Sequence, residues 1–321
     1  MKLDRLGDIT SELSANLVKS ILLPGGLMEW LSKPLAERLR EKAKATAKPG
    51  EGAEARSTVA LGPTVLFGGA PIPDEAIVAL LHLAGGRSAK VAVIPVAATD
   101  QARAVEDGVR LFTRFGMRCV EVLELTTKER AESPEWAAQL ADHDCVLLCG
   151  DSPELGLQAL SGTACAATLR EMQAAGKPVA GLNAGAMLLG DRIMLQRDGG
   201  QVLEKGLGLA AGLLIESSFT QTTGFGQMVK ALGTETASGL LGIGLEDGTA
   251  LVIRDGEAKI LGETSVTVMD MRESLPGSAP APVGAVCGLK VHVLTDGYGL
   301  NLRTRKPITP PKEPAHAVGE R

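Results

Sequence analysis

The sequence predicts an α/β protein with a doubly wound, mostly parallel sheet and helices on both faces. Of its 321 residues, 45% are hydrophobic, yet only five Phe, two Trp and one Tyr are present, so the core must be aliphatic. Buried parallel sheets have this aliphatic composition. From residue 64 onward, short aliphatic runs alternate with helical patterns, which is typical of right-handed crossovers between parallel strands.

Residues 1–57 differ from the rest and are predicted to form an N-terminal helical arm and linker. Two stretches have apolar residues at three- and four-residue spacings, as on one face of a helix. They are Leu3, Leu6, Ile9, Leu13, Leu17 and Ile21, and then Leu27, Leu31, Leu35 and Leu39. The arm either packs on the main domain or a second copy of the chain, or it is an amphipathic contact for a membrane surface or a protein partner through residues 1–45.

The main α/β domain is predicted to span residues 58–306. Its aliphatic strand candidates are 64–67, 90–96, 118–123, 145–149 and 178–182. The helical patterns between and after them are 73–85, 101–116, 133–142, 153–175 and 184–193. Ligands of such sheets bind at the carboxyl ends of the strands, so the segments that follow the strands are the first candidates for a site.

Beyond residue 200 the pattern changes to short, turn-separated runs that predict antiparallel hairpins. These runs are 241–245, 250–253, 258–261, 265–268 and 288–294. Residues 276–282 are predicted to be a surface loop. Residues 307–321 are predicted to be a disordered tail.

Composition argues against several function classes. A net charge of -5 gives no basic footprint for nucleic acid. The four histidines share no helical spacing suited to a metal, so we expect neither a metal nor another cofactor. The five cysteines form no CxxC pair, and we expect neither a signal peptide nor a membrane span. Together these features predict a cytoplasmic protein with reduced thiols.

The most informative segment is Gly181-Leu-Asn-Ala-Gly-Ala186. A predicted strand enters a turn of small residues and an aliphatic helix leaves it, which is the frame of a nucleophile elbow, G-x-S-x-G. Asn183 occupies the nucleophile position. Because Asn tolerates positive φ well, it can keep the turn while offering no hydroxyl for attack.

Six motifs, in order and spacing, resemble those of the cyanophycinases. They are Gly68-Gly69, Val93-Ile-Pro95, Gly150-Asp151, Gly181-x-x-Ala-Gly-Ala186, Gly242-Ile-Gly-Leu-Glu-Asp-Gly-Thr-Ala-Leu-Val252 and His292-Val-Leu-x-x-Gly297. Cyanophycinases are serine hydrolases related to dipeptidase E, so the resemblance implies a class I glutamine-amidotransferase-like fold over about residues 62–306. Related proteins are often dimers, which implies a homo-oligomer.

The resemblance also implies three catalytic positions. In cyanophycinases a Ser attacks the isopeptide bond of an arginine-bearing polyaspartate, a His acts as general base and an acidic residue orients the His. These positions fall on Asn183, Ser218 and Asp247, of which only Asp247 keeps a suitable side chain. The surrounding ligand pocket is implied at Gly150, Asp151, Ser152, Ala184 and Glu216.

The leading hypothesis is a cyanophycinase-like protein that has lost hydrolysis and binds a small peptide or amino-acid-like ligand in a regulatory or scaffolding role. Nucleophile and base act as a unit, so losing either one can remove nearly all triad activity. The alternative is an active peptidase or amidohydrolase on β-aspartyl or cyanophycin-like peptides, with Cys149, Ser152 or Ser218 as a rearranged nucleophile. For Cys149, the obvious base, His143, is expected about 20 Å away at the other end of the strand.

Overall fold

The computed structural model describes residues 27–32, 62–197, 200–221, 224–274 and 286–310. Its strands are β1 Thr64–Phe67, β2 Val91–Ala97, β3 Val120–Val122, β4 Cys145–Gly150, β5 Val179–Asn183, β6 Gly190–Arg197, β7 Gly200–Lys205, β8 Ala210–Ser217, β9 Leu241–Leu245, β10 Thr249–Arg254, β11 Glu257–Gly262, β12 Ser265–Asp270, β13 Lys290–Thr295, β14 Gly299–Asn301 and β15 Lys306–Ile308. Its α-helices are α1 Leu27–Ser32, α2 Asp74–Leu83, α3 Gln101–Thr113, α4 Lys128–Glu132, α5 Pro134–Ala141, α6 Pro153–Leu160, α7 Ala164–Ala174, α8 Ala184–Leu188 and α9 Gly224–Leu232.

The larger sheet has nine strands in the order β15-β14-β11-β10-β1-β5-β4-β2-β3. Strands β1, β5, β4, β2 and β3 are parallel neighbours, and β10, β11, β14 and β15 extend them in antiparallel pairs. The predicted α/β class is confirmed. The carboxyl ends of β1, β5, β4 and β2 lie at one edge, which is where the candidate site lies.

Helices cover both faces of this sheet. Strand β1 shows why, because Val65 and Phe67 join the core cluster with α2 and α3, while Leu66 joins the cluster with α6 and α7. Successive side chains of a strand point to opposite faces, so a strand buried on both sides must be apolar throughout. Every residue of β1 and β2 is buried.

A second, six-stranded sheet has the order β13-β12-β9-β8-β6-β7. It packs on the α6–α8 side, since Ile193, Ile215 and Ile243 belong to that core cluster. Strands β6, β7 and β8 were not predicted from the sequence. The run 241–245 was expected in a hairpin, but it pairs in parallel with β8 and antiparallel with β12.

Three predicted boundaries require correction. The helix predicted at 184–193 ends at Leu188, and β6 begins at Gly190. The helix predicted at 153–175 is two helices, separated at Gly162, whose φ of 76° is left-handed. Pro307 and Ile308, which were predicted to belong to a disordered tail, instead lie in β15, where they pair with Leu300 and Gly299. The predicted loop 276–282 and residues 311–321 lie outside the described residues.

Helix α1 is the part of the N-terminal arm that the structure describes. Leu27 and Leu31 are each only 2% exposed and join the core cluster beneath α2. The Trp30 indole donates to Glu257 at 3.2 Å, and Arg254 donates to the Leu31 carbonyl. In this segment the apolar face is therefore covered by the chain's own α/β domain. Within the described ranges, no helix is long and apolar enough to span a membrane.

Candidate active site

The turn at Asn183 joins β5 directly to α8. Asn183 has φ 52° and ψ -120°, while Ala184, 2% exposed, starts the helix. Helix α8 lies so close to β4 that a Cβ on Gly185 would be 2.1 Å from the Leu148 carbonyl oxygen. Only glycine fits at position 185. At position 183 the backbone needs a positive φ, and Asn is one of the few residues besides glycine that accept it. The predicted strand, turn and helix around residue 183 are present in the structure.

Ser218 and Asp247 form a hydrogen-bonded pair. Ser218 follows the end of β8 with φ 47°, and its hydroxyl donates to Asp247 Oδ1 at 2.8 Å. Gln221 Nε2 donates to the second carboxylate oxygen at 2.6 Å. A serine therefore contacts the acid at the position where the family has its histidine. A hydroxyl cannot accept and release a proton near neutral pH as an imidazole does.

A second carboxylate fixes the loop that carries Ser218 and Gln221. Glu246, 8% exposed, accepts hydrogen bonds from the Thr220 backbone N–H at 3.1 Å and from the Thr220 hydroxyl at 2.8 Å. Because Glu246 directly precedes Asp247, both loop and acid are held by the same short segment after β9. Sequence reasoning missed Gln221 and Glu246 as members of this network.

Gly69 lies between the turn and the acid. A Cβ at Gly69 would be 2.1 Å from Asp247 Oδ1 and 3.0 Å from Asn183 Oδ1, so the two side chains adjoin over this glycine. A backbone bridge also pairs Gly69 with Asp247. Asn183 Oδ1 is buried and has no hydrogen-bond partner among the described residues. The three predicted catalytic positions thus adjoin one another: Asn183 has no hydroxyl, and the Ser218 hydroxyl contacts a carboxylate rather than an imidazole.

A cleft of about 720 Å³ opens beside Asn183. It is lined by the ends of β2, β4 and β5, by α3 and by the loop after β1. Of the predicted pocket residues, Gly150 and Asp151 line it together with Asn183. The volume is in the usual range for small-molecule pockets.

Asp151 is held rigidly at the cleft wall. Its two oxygens accept hydrogen bonds from the Thr99 backbone N–H at 2.8 Å and the Thr99 hydroxyl at 2.5 Å. Burial by itself would raise the pKa of Asp151, but these hydrogen bonds outweigh it and lower the pKa below its usual value. Asp151 is therefore a fixed negative charge at neutral pH.

Three of the predicted pocket residues, Ser152, Glu216 and Ala184, are not among the residues that line the cleft. Ser152 is the N-cap of α6, where its hydroxyl accepts from the Leu155 backbone N–H at 3.4 Å. Ser217 faces Met187 of α8, so strand alternation places Glu216 on the opposite face of β8. Burial there raises the pKa of Glu216 to about 7. Ala184 is buried in the core beneath the turn.

Cys149 is a poor candidate for a nucleophile. Its sulfur is buried against the Ile94 and Ala104 carbonyls, and burial raises its pKa to about 12. A thiol with such a pKa is almost entirely protonated at neutral pH. His143 precedes the opposite end of β4 and contacts Gln139 and Glu121. It cannot act as a base for Cys149.

The sequence reasoning also missed a row of charged residues on the cleft face of α3. The row consists of Asp100, Arg103, Asp107, Arg110 and Arg114. These residues are three, four or seven positions apart, which places them on one face of the helix. Because α3 follows the carboxyl end of β2, this face lies beside the site. Among the described residues, no cluster of His, Cys, Asp and Glu is arranged to hold a metal ion.

Together, the fold and the site define a class of protein: an α/β protein with a sharp turn at the carboxyl edge of its parallel strands and an acid beside that turn. The sequence model of peptidase family S51 matches residues 66–261. This chain belongs to peptidase family S51, and its predicted resemblance to the cyanophycinase and dipeptidase E group is confirmed.

Individual relatives support the same assignment. The chain is 28% identical to a cyanophycinase of Trichormus variabilis over 236 residues, covering 69% of this chain and 78% of that protein. It is 29% identical to a cyanophycinase of Synechococcus elongatus over 249 residues, covering 71% and 76%. A crystal structure of a peptidase from an acI-B1 Actinobacterium superposes with a TM-score of 0.58 at 20% identity, covering 75% of this chain and 97% of that chain, and shows that the fold is shared.

Proposed function

We propose that this chain is a member of peptidase family S51 that has lost hydrolysis and binds a small peptide or amino-acid-like ligand, in a regulatory or scaffolding role. One observation carries the proposal. Asn183 occupies the nucleophile turn, and the general-base position holds Ser218, whose hydroxyl donates to Asp247. The acid is thereby occupied by a group that does not transfer protons at neutral pH, while the cleft beside Asn183 stays open for a ligand.

The direct test is hydrolysis of a β-aspartyl dipeptide and of cyanophycin, followed by chromatography of the products. We expect no turnover above a blank, whereas a cyanophycinase assayed in parallel is active. Turnover that Asn183→Ala or Asp247→Asn abolishes would contradict the proposal. Turnover that persists in both variants does not depend on this site, because each variant removes a side chain of the site.

A second candidate function is an active hydrolase with Ser218 as the nucleophile. The 2.8 Å hydrogen bond from Ser218 to Asp247 favours this serine over the other two candidates, since the Cys149 thiol is protonated and Ser152 caps a helix. A fluorophosphonate would then label Ser218, and Asp247→Asn would abolish the labelling. Intact mass showing an unlabelled protein would remove this candidate.

Location and assembly belong to the same proposal. We infer a reducing cytoplasm, supported by five cysteines that are all free thiols. Self-association, or a protein partner at residues 1–45, would use the arm outside α1, because the apolar face of α1 is already covered. Light scattering of the full chain and of a chain lacking residues 1–26 tests whether the arm is needed for assembly.

A further inference from the structure

The cleft beside Asn183 is elongated along α3. Its lining runs from Asp100, which caps the helix, to Arg114 just beyond the last turn. At 1.5 Å per residue, Asp100 and Arg110 are about 15 Å apart along the helix axis. The floor between them is apolar and includes Ala104, Leu111 and Leu182.

Charges of opposite sign lie at the two ends of this cleft. The end beside Asn183 has the carboxylates of Asp100 and Asp151. The far end has Arg110 and Arg114, and the ion pair of Arg114 with Asp74 at 2.7 Å joins α3 to the start of α2 there. Between the ends, Arg103 and Asp107 pair at 3.7 Å and offset each other.

The charged groups at both ends can accept a ligand. Asp151 is ionised and held by Thr99, and a carboxylate has lone pairs for further donors. Among the described residues, Arg110 pairs with Glu106 four residues earlier, and both side chains are 66% exposed. Such exposed ion pairs contribute little to stability, so a ligand carboxylate can replace Glu106 as the partner of Arg110.

We propose that this cleft binds a short linear peptide in one direction, with its free ammonium at Asp100 and Asp151 and its free carboxylate at Arg110. An extended peptide rises about 3.3–3.6 Å per residue, so the distance between the charged ends fits about three to five residues. The apolar floor contacts the side chains in between. This proposal rests on the loss of hydrolysis in the proposed function, because the peptide must stay intact while it is bound.

Titration calorimetry with tetra-alanine and its capped forms tests the direction of binding. N-acetylation removes the ammonium and C-amidation removes the carboxylate, and each is expected to weaken binding about tenfold. Arg110→Glu should weaken binding of the free peptide about tenfold or more and leave the affinity for the C-amidated peptide unchanged. Asp151→Asn should weaken binding of the free peptide and leave the affinity for the N-acetylated peptide unchanged.

Arg170→Glu is the matched control, because Arg170 is an exposed arginine of α7 that does not line the cleft. It changes the net charge by the same amount and should leave the affinity as it is. Equal binding of free and capped peptides would overturn the proposal, and so would an Arg110→Glu effect that N-acetylation, rather than amidation, removes. Absence of binding by any of the peptides at about 1 mM would also overturn it. Cleavage of the peptide would instead contradict the loss of hydrolysis.

Discussion

The turn at Asn183 and the loop at Ser218 depart from a serine hydrolase in different ways. The turn between β5 and α8 is sharp, with a positive φ of 52° at Asn183, whose side chain has no hydroxyl. At the loop, the replacement side chain has a partner of its own, since Ser218 donates to Asp247 and Gln221 occupies the second oxygen. The turn thus has an amide where the resemblance to cyanophycinases implies a serine, and the loop holds Asp247 in a hydrogen-bond network.

The two regions are also held in place in different ways. A strained turn costs about 1–3 kcal/mol and persists only where its surroundings enforce it. Here the enforcement comes from close packing of α8 on β4, which also shapes the cleft wall at Gly150 and Asn183. The packing that enforces the turn therefore also forms part of the cleft, while the loop holds Asp247 in place.

The largest expected effect comes from restoring both groups together. We expect the double variant Asn183→Ser, Ser218→His to become labelled by a fluorophosphonate at position 183, because the turn already positions that residue and His tolerates the positive φ at position 218. Intact mass measures the labelling.

Each single variant is the control for this restoration. Nucleophile and base act as a unit, so neither Asn183→Ser nor Ser218→His should label appreciably on its own. Equal labelling of the single and double variants would show that residue 218 does not contact the nucleophile position. That result would contradict the interpretation of positions 183 and 218 as two parts of one site.

The next effect tests the packing that enforces the turn. Gly185→Ala places a Cβ 2.1 Å from the Leu148 carbonyl oxygen, and the next nearest atoms are also backbone atoms of β4. We expect a loss of about 2–4 kcal/mol in the free energy of unfolding, measured by urea denaturation. Gly226→Ala is the matched control, because Gly226 lies in α9 with no atom near its Cβ position, so it should stabilise by about 0.5–1 kcal/mol.

Local patterns were enough to predict the turn and the parallel strands. The aliphatic runs, the small residues at 181–186 and the tolerance of Asn for positive φ each depend on neighbours in sequence. The position of Asp247 beside Ser218 followed from the resemblance to cyanophycinases. The predictions of the turn and of the strands hold because short-range geometry decides them.

Other site features depend on contacts distant in sequence. Glu216 was placed in the pocket because β8 was not recognised, and without the strand its alternation with Ser217 was invisible. Gln221 meets Asp247 only through pairing of β8 with β9. The α3 arginines lie on one helix face, but which face meets the cleft depends on how α3 packs on the sheet.

A third effect concerns the outer face of β8, away from the turn. Burial raises the pKa of Glu216 to about 7, above its ordinary 4.5. Between these pH values the folded state retains a proton that the unfolded state releases, so stability falls as pH rises from about 4.5 and levels off above about 7. We expect Glu216→Gln to stabilise the protein by about 1–3 kcal/mol at pH 8 and to have little effect at pH 4.5, measured by urea denaturation. Glu171→Gln, at an exposed residue of α7, should show no such pH dependence.

The smallest effect tests the loop network itself. Ser218→Ala removes the donor to Asp247 Oδ1 and leaves that oxygen to water or to Gln221, so the free energy of unfolding should fall by about 1 kcal/mol. Gln221→Ala removes the other donor and should cost a similar amount. If the two donors hold one carboxylate, the double variant should lose more than the sum of the single losses, because Asp247 is then left without either side-chain partner. Strictly additive losses would show that Ser218 and Gln221 act independently, and that Asp247 is fixed by its backbone, where Thr264 donates to its carbonyl at 2.6 Å.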